Sequence, residues 1–210
     1  MTRRQLSLGE PPEACRDLQG FPRSKLGPET TLYRVARNGR NPWWFNSSGS
    51  GRFDLPEPDG TCYLAADPLA AVLEVVGPDR RGGLIAAELL AARRLFELRV
   101  PDEHSLANLT SRRAARFGMT LEIHSLPSYE RTQAWARCLA ESGAGGLRYF
   151  ARHDPAAGRS VALFGPAGER DWDRGAAHDL EDRAWIERLW STCRIRVASR
   201  PYADEIPVIE

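Results

Sequence analysis

Three residues of this chain have types and settings suited to chemistry: Arg34 in the run TLYRVA, Arg52 at the end of the polar loop SSGSGRFD, and Glu74 in the run DPLAAVLEVV. Guanidinium groups are forked donors that match phosphate oxygens, and glycines such as Gly49 and Gly51 let a backbone approach a phosphate closely. A carboxylate beside a sugar can hold its hydroxyls and stabilise the oxocarbenium-like cation that forms as a glycosidic bond opens. A leaving group that is already cationic, as nicotinamide is in NAD, departs without a strong general acid, so one carboxylate is enough. The combination suits cleavage of a nicotinamide–ribose bond.

Other chemistries lack their signatures. The stretch SGSGR has no GK[ST] ending and precedes no helix, so it is neither a P-loop nor a dinucleotide fingerprint. No GxSxG elbow is present. Cys15, Cys62, Cys138 and Cys193 are far apart and form no CxxC pair, and His104, His124, His153 and His178 have no ligand spacing. Four reduced, mostly buried thiols and no metal are expected.

The elements that must position these residues follow from local pattern. TLYRVA reads as a strand carrying Tyr33 and Arg34, and TCYLA as a second strand carrying Tyr63. The long loop between them, NPWWFNSSGSGRFDLPEPDG, is unusual inside a compact domain unless it has a task. Asp67 followed by Pro68 predicts a capped helix through LAAVLEVV, with Leu69, Val72, Leu73 and Val76 on one stripe and Glu74 turned away from it. SYERTQAWARCLAESGAGG predicts another helix, capped by Ser128 and stopped at Gly143. LRYFA and SVALF predict two strands joined by HDPAAGR, and DLEDRAWIERLW and RIRVAS a final helix and strand. Residues 83–100 mix both signals.

The chain has 210 residues, 42% hydrophobic and 27% charged, which fits one globular domain. The proline-rich start reads as an arm over 1–27, followed by a domain over 28–200 and a tail over 201–210. No apolar run is long enough to span a bilayer and the start lacks a signal-peptide core, so a soluble cytoplasmic protein is expected. A net charge of +1 gives no reason to expect nucleic acid or a membrane as partner. Lys25 is the only lysine, an arginine bias that genome composition explains well.

Three longer stretches carry a resemblance: YRVARNGRNPWWFNSSGSGRFDLP, CYLAADPLAAVLEVV and GLRYFARHDPAAGRSVALF. In order and spacing, over about residues 31–165, they resemble the RES-domain family, the NAD-consuming toxins of bacterial toxin–antitoxin systems. The resemblance implies an α+β, ADP-ribosyltransferase-like fold, a mixed core of two small packed sheets with flanking helices around an NAD cleft. It implies NAD as substrate rather than cofactor, with water or phosphate attacking the sugar, and an antitoxin partner with a helix-turn-helix domain. A homodimer would also suit the family. By position, the family's arginine falls on Arg34, its loop arginine on Arg52 beside Gly51, its tyrosine on Tyr63 and its glutamate on Glu74; Tyr33 is placed with the substrate-binding set.

The third signature residue departs from the pattern. Where the family reads Y-x-S-R, this chain reads Tyr149, Phe150, Ala151, Arg152, which puts Ala151 at the serine position. Alanine neither donates nor accepts a hydrogen bond. Three explanations stand: an exchange of serine for alanine made to protect a host cell, ranked first; a naturally weakened member; or a neighbouring serine such as Ser160 taking over. An inactive NAD-binding or partner-binding relative, and transfer of ADP-ribose to a protein, are the alternatives to NAD degradation.

Overall fold

The computed structural model describes residues 8–77 and 82–198; the tail 201–210 lies outside the described residues. In chain order come a 3-10 turn at Cys15–Leu18, then β1 (Arg23–Leu26), β2 (Leu32–Arg37), β3 (Trp44–Phe45), β4 (Asp59–Ala65), α1 (Pro68–Val76), β5 (Leu84–Ala86), α2 (Ala87–Ala91) and β6 (Arg93–Leu98). Next are β7 (His104–Asn108), 3-10 turns at Arg112–Phe117 and Leu121–His124, α3 (Glu130–Glu141), β8 (Gly146–Phe150), β9 (Arg159–Pro166), β10 (Gly168–Glu169), β11 (Ala176–Asp179), α4 (Arg183–Cys193) and β12 (Arg196–Ala198). Among the described residues no helix is long and apolar enough to cross a membrane.

The class is α+β. Eight strands form one sheet in the order β1-β7-β8-β9-β4-β2-β6-β11, and β3–β10 and β5–β12 form two small pairs. The two packed sheets of the sequence reading are here two wings of one sheet. The wings β1-β7-β8-β9-β4 and β2-β6-β11 meet through a single register pair, Tyr33 with Ala65. By contrast β4 and β9 pair over seven positions, so the sheet is weakest where β2 joins β4.

Helix α1 spans this seam and forms where its sequence predicts. The Asp67 side chain accepts from the Ala70 N–H, Pro68 sits in the first turn, and Val72, Leu73 and Val76 are buried. They pack with Leu90, Leu95, Leu180 and Leu189 in one core cluster. A second cluster joins α3, through Trp135 and Leu139, to Phe53, Leu147 and Ala162, and a third holds Trp43, Phe45, Cys62, Leu64 and Leu163. Helix α3 starts later than its sequence suggests, after Tyr129 and without a side-chain cap, so Ser128 is not its cap. Its stop is as expected, with Gly143 at φ 86°.

The segment read as a loosely attached arm is built into the domain from Leu8 onward. β1 pairs antiparallel with β7, Leu8, Leu18 and Phe21 enter the core around Trp135, and the Trp135 indole donates to the Gly9 carbonyl at 3.0 Å. Cys15 and Cys138, expected as reduced thiols, form a disulfide across 123 residues of sequence. Their prolines and long separation hide these contacts from local patterns. Cys62 is buried as expected.

Candidate functional site

One row of cross-strand neighbours makes the floor of a cleft. Tyr149 on β8 is opposite Ser160 on β9, Ser160 is opposite Ala65 on β4, and Ala65 is opposite Tyr33 on β2. Directly paired residues project from the same face. The row therefore places two small side chains between two tyrosines and leaves a hollow above Ala65 and Ser160. Ala71, Glu74 and Val75 of α1 wall it on one side, and Arg34 and Tyr63 complete the lining of a cavity of about 220 Å³.

Glu74 reaches this cavity because α1 turns its apolar stripe to the core and leaves position 74 half-buried at the seam. One carboxylate oxygen, Oε1, accepts from the His153 backbone N–H at 2.7 Å. That approach needs Gly77, since a Cβ there would lie 2.4 Å from His153 Cγ. Oε2 has no hydrogen bond among the described residues, and Glu74 lines the cavity.

Arg34 lies where β2 and β4 part. Its Nη1 donates to the carbonyls of Pro42 at 2.7 Å and Trp44 at 2.9 Å, and it also contacts Cys62 Sγ. Burial pushes the Cys62 thiol up, with the Arg34 charge opposing, so a neutral thiol sits under the guanidinium. Among the described residues every hydrogen bond of Arg34 leaves from Nη1, which keeps its other N–H edge available. Beyond Arg34 lies a second cavity of about 390 Å³, lined also by Val35, Arg37, Arg40, Asn41 and Trp44.

Tyr149 is fully set in protein. Burial, and behind it the Glu74 carboxylate, pushes its phenol well above the ordinary range, so it remains a neutral donor. Its hydroxyl lies beside Ser160, close enough to lower its pKa slightly, but the two hydroxyls do not meet in hydrogen-bond geometry, and among the described residues Ser160 Oγ has no partner.

The loop of the opening motif is braced rather than open. Asp54, 2% exposed, accepts from Asn46 Nδ2 at 2.5 Å, from the Gly51 N–H at 2.8 Å and from the Tyr63 hydroxyl at 2.8 Å. The Tyr63 hydroxyl in turn accepts from the Phe53 N–H at 2.8 Å. Burial first, and the Asp54 charge second, raise the Tyr63 phenol far above its usual range. Gln133 of α3 donates to the carbonyls of Gly49 and Gly51, both at 2.8 Å. Gly51 is packed too closely for a side chain, because a Cβ would stand 2.3 Å from Asp54 Oδ1 and 2.6 Å from the Tyr63 oxygen.

Arg52, read as a phosphate ligand or a brace for the cleft, is buried away from the cavity lining. Its Nη1 donates to the Leu126 carbonyl at 3.0 Å and its guanidinium stacks on Tyr129 at 5.1 Å. Desolvation lowers its pKa. Among the described residues Arg52 forms no ion pair with the nearby Asp54, whose oxygens are taken up by Asn46, Gly51 and Tyr63. Of the two tryptophans, Trp43 is core, edge-on to Trp172, and Trp44 is 42% exposed at the second cavity.

The structure therefore brings Tyr33, Arg34, Tyr63 and Glu74 to one cavity and leaves Arg52 and Gly51 behind it. Ala151 is buried just past the end of β8, its N–H bonded to the Gly158 carbonyl at 2.7 Å, and does not line the cavity. Tyr149 and Ser160 do; of these the sequence offered Ser160 only as an alternative to Ala151, and Tyr149 only as part of the signature that Ala151 departs from. Matched end to end, the predicted strands LRYFA and SVALF would have set Ser160 opposite Ala151; the observed register is shifted by two residues and sets it opposite Tyr149.

An α+β protein with a carboxylate, a guanidinium and unpaired hydroxyl chemistry at a sheet seam is the class these observations define. The RES-domain family description matches residues 31–198, and the chain belongs to that family. In fold it is similar to a chain of the crystal structure of the M. tuberculosis MbcT–MbcA toxin–antitoxin complex, with a TM-score of 0.63 and 19% identity over 86% of this chain and 99% of that one. No curated protein matches the sequence.

Proposed function

We infer that this chain is the toxin of a toxin–antitoxin pair and degrades NAD by opening the nicotinamide–ribose bond. The observation that carries the reading is Glu74: it lines a cavity floored by hydroxyl-bearing and small side chains, with Arg34 in the same lining, and one of its carboxylate oxygens has no hydrogen bond among the described residues. Family membership and the likeness in fold to a toxin–antitoxin complex support it.

The nicotinamide ribose would lie over Ala65 and Ser160, with Glu74 holding a ribose hydroxyl and stabilising the developing cation at the anomeric carbon. Nicotinamide leaves as a neutral base, taking the bonding electrons. Water then yields ADP-ribose and a proton, and inorganic phosphate yields a phosphorylated ADP-ribose; both attack the same carbon. The first cavity is smaller than the usual 300 Å³ or more of a small-molecule site. The remaining dinucleotide therefore extends past Arg34 into the second cavity, where Arg37 and Arg40 suit its pyrophosphate. An antitoxin with a helix-turn-helix domain would hold the toxin inactive and supply the DNA contact that a chain of net charge +1 lacks.

The test is NAD consumption by the purified chain, with and without phosphate, following nicotinamide and the ADP-ribose product by chromatography. Product identity separates hydrolysis from phosphorolysis. Glu74→Gln keeps size and removes charge, and is expected to lower turnover by about a hundredfold to a thousandfold with the fold intact. NAD loss at an unaltered rate in that variant removes Glu74 from the reaction.

A further inference from the structure

We propose that Ser160 is a catalytic residue of this chain, giving the bound ribose the hydroxyl contact that Ala151 cannot give. The inference rests on the NAD reading above and deepens it. Three observations carry it. Register puts Ser160 between Tyr149 and Ala65 in the cavity floor. The residue is 2% exposed, and its Oγ is buried with no hydrogen-bond partner among the described residues. It lines the same cavity as Glu74 and Arg34, whereas Ala151 does not.

A buried hydroxyl without a partner is costly and uncommon in a folded protein. Alanine would fill the same volume without that cost, as Ala65 does beside it. A hydroxyl kept at this place makes sense if a ligand completes it. It has one proton to donate and two lone pairs to accept with, which fits one hydroxyl of a ribose while Glu74 holds another. No covalent bond to Ser160 forms: Oγ hydrogen-bonds the sugar as nicotinamide departs, and the proton stays on whichever oxygen it began.

The function of Ser160 and the stability of the fold therefore pull in opposite directions. In Ser160→Ala, NAD consumption is expected to lose about tenfold to a hundredfold in kcat/KM, while the melting temperature stays level or rises. Unchanged kcat/KM in an active chain overturns the assignment, as does a fall in melting temperature that parallels the lost activity. Should the wild type bind NAD in calorimetry without turning it over, the dissociation constant decides: about tenfold weaker binding in Ser160→Ala supports the role, and equal binding overturns it. A wild type that neither binds nor consumes NAD removes the NAD reading itself, an outcome distinct from an active wild type matched by its Ser160→Ala variant.

Discussion

The glycine–serine loop over residues 46–54 and the cavity beside it are both rich in polar groups, but they use them differently. In the loop, Asn46, Gly51, Asp54 and Tyr63 bond to one another and Gln133 ties the Gly49 and Gly51 carbonyls to α3. In the cavity, among the described residues, Ser160 Oγ has no partner and Arg34 bonds only through Nη1. Buried polar groups must be satisfied somewhere. Where the protein satisfies them, they hold its shape; where it leaves them, a ligand has room to. The loop that looks in sequence like a grip on phosphate is a brace, and the polar groups left open lie along the sheet floor and its edge.

The largest effect that would break this contrast is at Asp54. Asp54→Ala takes the acceptor from three half-buried donors, Asn46 Nδ2, the Gly51 N–H and the Tyr63 hydroxyl, and is expected to cost about 3 kcal/mol in a urea titration. NAD affinity of the folded fraction should stay within about threefold, since a group that touches no ligand contributes little to binding. Preserved stability with a tenfold or larger loss of affinity would make the loop part of the site.

How much of this was legible depended on whether the signal was local. Asp67-Pro68 and the stripe from Leu69 to Val76 announced α1, and with it the place of Glu74. The hairpin of β8 and β9 was equally plain. HSLAN of β7 has no alternating pattern, and β1 sits in a proline-rich stretch, so the β1–β7 edge of the sheet stayed hidden. The Cys15–Cys138 link joins residues 123 apart, and spacing alone does not reveal such a pair. Arg34 and Glu74 were reached through the order and spacing of the family pattern, and the structure sets both in the lining of one cavity. Arg52 could not be placed, because a buried arginine facing the Leu126 carbonyl and an arginine on a phosphate look alike in one dimension.

His124 sharpens the contrast from the other side. It too is buried with an unpaired atom, Nε2, while Nδ1 accepts from the Phe150 N–H at 3.4 Å. It does not line the cavity, so an unpaired group alone does not define the site; position does. Burial, and then the Arg52 charge, pull its pKa down from 6.5 to about 4. Between those values the unfolded chain binds the proton and the folded one does not, so stability is full above pH 6.5 and falls as pH drops toward 4. The loss is on the order of 3 kcal/mol, and His124→Gln should remove that acid limb from the stability profile. A difference between the two proteins that is flat across this window would show that Nε2 has found a partner.

Tyr63 gives the finest discrimination, because it belongs to both regions. Its ring lines the cavity and its hydroxyl bridges Asp54 and the Phe53 N–H. Tyr63→Phe keeps the ring and removes only the bridge. If the hydroxyl serves the loop, stability drops by about 1 to 2 kcal/mol, the scale of one lost hydrogen bond and one donor left unpaired, and kcat is unchanged within about twofold. If it serves the ligand, kcat or KM moves tenfold while urea unfolding does not. The two outcomes exclude each other at a single oxygen atom, so this variant locates the boundary between brace and site more closely than any change made wholly inside one of them.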